Sequence, residues 1–175
     1  MRRIKSILLI LFVVFLPTSV FPGSQDFLAS LKDMEAFSFE AFDRMNDCFK
    51  AVIQKESVVS LAKGLNQTMN KLELKTDETI SIIKITFPDS SNRQEIEKQT
   101  RAVLADARNM RVSFIKSVDM YIKRSDQTIR AKIAITYRQM REKTIKTISE
   151  RISWLSKQNS TSIRENVLIA EEKKD

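Results

Sequence analysis

Apolar residues along this chain recur every three to four positions, the period of an α-helix rather than the alternation of a half-buried strand. Phe27, Leu31, Met34, Phe42, Met45, Phe49, Val52 and Val59 fall within roughly 100° of one another on a helical wheel, a normal core-facing stripe. Asp33, Glu40, Asp43 and Asp47 land on the far side. The pattern predicts one amphipathic helix over residues 24–63, bent or stopped at Gly64. Residues 65–87 admit two readings. The run from Ile80 to Phe87 is β-branched enough for a strand, but Leu72, Thr76, Ile80, Ile83 and Phe87 also follow helical spacing. A lone strand leaves its backbone unpaired, and no second strand candidate exists, so helix is the expectation.

Pro88 to Asn92 reads as a loop, with Ser91 and Gln94, or Asn92 and Glu95, spaced as a capping box that opens the next helix. Beyond it Ile96, Val103, Ala107, Met110, Phe114, Val118, Ile122, Ile129, Ile133 and Met140 share one broad face. Ile145, Ile148, Ile152 and Leu155 keep helical spacing on a face rotated by roughly 120°. That slip predicts a kink between Arg141 and Thr144, or a change of packing partner there. The polar stretch after Lys157 predicts a tail over residues 159–175, with Ser162 and Glu165 spaced to cap a short last helix.

Composition agrees with few turns: the 175 residues include 2 glycines and 3 prolines. The expected fold is all-α, long amphipathic helices folded as an elongated hairpin or helical bundle, coiled-coil-like in packing. The chain begins differently. Arg2, Arg3 and Lys5 precede an unbroken apolar run over residues 7–16, then a stretch from Pro17 to Ser24 broken by Pro22 and Gly23. This three-part order is that of a secretory signal peptide, and ten apolar residues reach only ~15 Å, too short to span a bilayer. The expectation is a leader over residues 1–24 cut after Ser24, a helical domain over 25–158, and export to the extracellular space or periplasm. Cys48 is the single cysteine, so no disulfide framework exists. Its helical neighbours Met45, Phe49 and Val52 favour burial over the alternative, an intermolecular disulfide.

The net charge of +8 is unevenly spread. Residues 25–107 hold 11 Lys/Arg against 14 Asp/Glu, whereas residues 108–157 hold 13 against 4. On the basic stretch Lys116, Lys123, Arg130 and Arg141 lie within roughly 40° on a helical wheel, a candidate ridge for anionic lipid, sulfated glycan or an acidic protein face. Nucleic acid is not expected, because no aromatic interleaves the ridge as a stacking platform. Glu40, Asp43 and Asp47 read as a solvating acidic strip, and Trp154 as a residue that closes the bundle. Asn66 and Asn159 head two N-x-S/T sequons, the candidate N-glycosylation sites, both expected to be exposed.

Catalysis is not expected. The chain has no histidine, which removes nucleophilic triads, most zinc sites and most neutral-pH proton relays. Phosphate-cradling loops need clustered glycines, also missing. Neither a cofactor nor a metal site is expected. Two functions remain: a secreted helical protein acting through protein–protein recognition or self-association, and an amphipathic binder of lipid or of an anionic membrane surface.

Overall fold

The computed structural model describes residues 23–88 and 92–172, with side chains through residue 161. Residues 1–22 of the proposed leader, Ser91 of the first capping box, and the last three residues lie outside the described residues, whereas Gly23 and Ser24, the last two of the leader, are described. Four helices make up the described chain: α1 (Ser24–Gln54), α2 (Val59–Thr86), α3 (Arg93–Lys123) and α4 (Gln127–Glu172). Among the described residues there is no strand, and the run from Ile80 to Thr86 is helical. The protein is an all-α bundle.

The breaks between helices differ from the expected ones. Helix α1 stops at Lys55, nine residues before Gly64, with Lys55 in the left-handed region at φ 59°. The Lys55 and Glu56 amides close the end by donating to Val52 and Ala51 carbonyls at 3.2 and 2.8 Å. No glycine announces this turn. Gly64 instead lies inside α2, where a Cβ would collide with the Arg44 guanidinium of α1. Its smallness serves close approach between helices, not a bend.

The long basic segment is likewise two helices, broken at Arg124; through residues 141–144, where a kink or a change of packing partner is expected, the helical assignment of α4 is unbroken. Arg124 is extended at φ −103° and ψ 135°. Asp126 then starts α4: its carboxylate accepts from the Ile129 amide at 3.0 Å, and its carbonyl accepts from the Arg130 amide at 3.0 Å. At the start of α3 the Asn92 carbonyl accepts from the Ile96 amide, and the Glu95 carboxylate is taken by Gln99 and Lys98. The expected tail is not a tail. Helix α4 runs unbroken past Asn159 to Glu172, so Ser162 and Glu165 lie within it.

Cross-helix contacts set the order of packing. Going along α1, Ser24, Glu35, Asp43 and Phe49 meet Asn159, Ser149, Arg141 and Tyr137 of α4, an antiparallel pairing. Helix α1 touches all three others, whereas α2 and α4 do not touch. Helix α3 also touches all three others, so α1 and α3 form the short diagonal of the bundle, with α1 the most deeply covered helix. Phe27, Leu31, Met34, Phe42 and Met45 of α1 are fully buried against Leu72 and Ile83 of α2, Ile96 and Val103 of α3, and Ile148 and Leu155 of α4. The rotated stripe Ile148, Ile152, Leu155 is thus core, as its spacing predicts. Small hydroxyls line the closest approaches: Ser30 and Thr79 share a 2.6 Å hydrogen bond, and Thr76 and Thr100 donate to the carbonyls of Leu72 and Ile96. Each of these small hydroxyls is satisfied without opening a gap.

Candidate docking surface

Antiparallel pairing brings the α1–α2 turn and the α3–α4 turn to the same end of the bundle. Because Phe49 sits opposite Tyr137, the residues from Gln127 onward reach about one helical turn beyond Gln54. This end carries apolar side chains that the core does not use. Ile53 is 43% exposed, Val59 76%, Met120 48%, Ile122 62% and Ile129 41%. Val112 and Ile115 continue the exposed apolar line along α3. Two of these, Ile122 and Ile129, belong to the stripe expected to face the core; the break at Arg124 turns both outward.

Cations surround the apolar end. Lys116, Lys123, Arg124 and Lys132 are exposed, as is Lys55 of the α1–α2 turn, with Glu56 of that turn, Asp119 and Asp126 as the acids at this end. Lys123 pairs with Asp119 at 2.8 Å on its own helix. The predicted ridge of Lys116, Lys123, Arg130 and Arg141 is not one surface, because the first pair lies on α3 and the second on α4. Arg130 turns inward, its guanidinium carbon 5.2 Å from the centre of the Tyr121 ring. Arg141 reaches across to Asp43 of α1 as a bundle clamp. Arg124 and Lys132 take their places at the surface. Sequence reasoning missed them, although the Ser125–Asp126 pair is a legible helix-start signal.

The other predicted residues are placed as follows. Glu40 accepts from Arg44 at 2.7 Å and from Thr68 of α2 at 3.0 Å, and these donors hold its carboxyl below the usual range. The acidic strip is thereby more than a solvated face: Glu40 and Asp43 tie α1 to α2 and α4, while Asp47 pairs with Lys50. Cys48 is buried as a free thiol, and burial pushes its pKa up, so an intermolecular disulfide there requires the bundle to open. Asn66 is exposed and accepts from Arg111 at 2.7 Å. Asn159 is not exposed: at 1% accessibility it donates to the Ser24 carbonyl, 3.3 Å away, and a glycan would not fit there. Trp154 is half-buried against the core, along open grooves that also involve Gln99, Glu150 and Arg151.

Among the described residues no three cysteine or acidic side chains converge as a metal-binding group, and no helix is long and apolar enough to cross a membrane. The groove between α3 and α4, lined by Asp106, Asn109, Ser113, Lys143 and Thr147, is open along its length and offers no enclosed chamber. No protein-family model matches this chain, and neither a curated protein nor a solved structure is similar to it.

Proposed function

We propose that this is a non-catalytic protein that docks on anionic membrane surfaces through the end of the bundle formed by the α1–α2 and α3–α4 turns. The carrying observation is the set of outward apolar side chains at that end, Ile53, Val59, Met120, Ile122 and Ile129, ringed by Lys116, Lys123, Arg124 and Lys132. Fully burying one aliphatic side chain of this size is worth about 1.5–3 kcal/mol, and leaving several in water forgoes much of that. Lipid acyl boundaries supply the missing cover. Each lysine or arginine near an anionic leaflet adds about 1 kcal/mol. The chemistry of the rim favours lipid over protein: lysine is depleted in protein–protein interfaces, and three of these four cations are lysines.

Vesicle flotation tests the reading. The protein is expected to float with phosphatidylcholine vesicles containing phosphatidylserine, less at high salt, and not with phosphatidylcholine alone. Ile122→Asp with Ile129→Asp, or Lys116→Glu with Lys132→Glu, abolishes flotation. Ile85→Asp, equally exposed at the opposite end of α2, leaves it intact. If no vesicle is bound and light scattering shows a dimer that Ile122→Asp dissociates, the same end serves self-association and the lipid reading is wrong.

A further inference from the structure

The first residues of the described chain are locked into the bundle. Gly23 has φ +96°, in the left-handed region, and a Cβ there would lie 2.6 Å from the Thr86 hydroxyl at the end of α2. Only glycine fits both the angle and the space. The Gly23 carbonyl accepts from the Phe27 amide at 2.8 Å, which closes the first turn of α1. Ser24 is buried, and its carbonyl receives the side-chain amide of Asn159, itself 1% exposed, from α4. Phe27, fully buried, meets Phe87 edge-on at 5.3 Å. Helices α2 and α4 therefore close on the dipeptide from Gly23 to Ser24.

We infer that Gly23 and Ser24 belong to the folded domain, so that leader processing cuts before Gly23 and not after Ser24 as the sequence spacing suggests. A cut after Ser24 would remove the carbonyl that starts α1 and the carbonyl that Asn159 holds. It would also place the new ammonium of Gln25 within the first turn of α1, where the helix dipole disfavours positive charge. A cut before Gly23 keeps both carbonyls. The reaction is plain hydrolysis: water adds across the bond, leaving a carboxylate on the leader and an amine on the domain.

The inference rests on export of the chain, and two measurements separate it from that reading. Intact mass of the exported protein is expected to show the leader removed and the N-terminus no later than Gly23; a start at Ser24 or later overturns the inference. Retention of Met1 would overturn the export reading and the cut with it, and the melting comparison then tests only whether Gly23 and Ser24 belong to the folded domain. Chains beginning at Val20 and at Gln25, made without the leader, are expected to differ in melting temperature by roughly 2–6 °C in favour of the longer. Failure of the shorter chain to fold supports the inference as well, and equal melting overturns it. Asn159→Ala and Gly23→Ala each lower melting of the longer chain. In the shorter chain Asn159→Ala has little further effect, because its partner carbonyl is already gone.

Discussion

The ring of Tyr137 lies nearly flat on that of Phe49, with centroids 4.8 Å apart and planes inclined by 20°. Phe114 and Tyr121 of α3 close around the same pair, so α1, α3 and α4 are aligned by one aromatic cluster just inside the apolar end. Within it the Tyr137 hydroxyl is buried and makes no hydrogen bond to protein. Burial drives its ionisation well above the ordinary tyrosine value of 10.0.

Tyr137→Phe is therefore expected to preserve or raise stability, by up to about 1–2 kcal/mol in urea unfolding, because it deletes an unsatisfied polar group and keeps the stack. Tyr137→Ala is expected to cost about 3–5 kcal/mol. The pH dependence carries a sign. The unfolded tyrosine loses its proton near pH 10 while the folded one keeps it, so this stability is full below pH 10 and is lost as pH rises beyond. In Tyr137→Phe the alkaline loss shrinks.

Glu40 behaves oppositely. Its carboxyl pKa is lowered by Arg44 first, then by Thr68, against a desolvation that raises it. The stabilisation is present above the ordinary value of 4.5 and disappears as pH falls through the lower folded value. Glu40→Gln should melt below the parent at neutral pH and converge with it in strong acid. A gap that persists in acid would show that the Arg44–Glu40–Thr68 link does not titrate as described.

Gly64 yields a further test. Alanine at this site displaces the tip of a half-exposed arginine, breaking an ion pair worth about 0.5 kcal/mol. It also gains about 1 kcal/mol of helix propensity inside α2. Gly64→Ala is expected to be neutral or slightly stabilising in denaturant titration, whereas Gly64→Leu, whose bulk must displace the Arg44 side chain down to its Cδ, is expected to destabilise.

The clamp between α3 and α4 is measurable by a double-mutant cycle. Arg151 donates to Asp106 at 2.8 Å and also to Gln99, with both ionic partners mostly covered. Removing both Arg151 and Asp106 should reveal a coupling of about 1 kcal/mol by urea unfolding. Cys48 should react with a thiol reagent only at the rate at which the bundle opens, and fast once denaturant is added.

How much of this was legible in advance follows from the period of the apolar residues. Phe27, Leu31, Met34, Ile96, Val103, Ile148 and Leu155 are core because a helix presents them on one side, whatever it packs against. Helix ends were less legible. Lys55 bears the left-handed turn that a glycine usually takes, and Gly64 is used for contact. The exposed apolar end was misread for a related reason. Ile122 and Ile129 fit a continuous stripe until the chain breaks at Arg124, and Arg130 and Arg141 fit a continuous ridge until α4 turns them toward Tyr121 and Asp43.

By itself the sequence determined the secondary structure and the bulk of the buried set, because helical periodicity is a local property repeated over many residues. Tertiary structure alone decided which polar groups became partners and which apolar ones were left outside. Asn159 and Ser24 are 135 positions apart, and no local pattern records that they meet. The exposed end of the bundle arises in the same way: it is set by where four helices of unequal length stop overlapping, a quantity that no single stretch of chain contains.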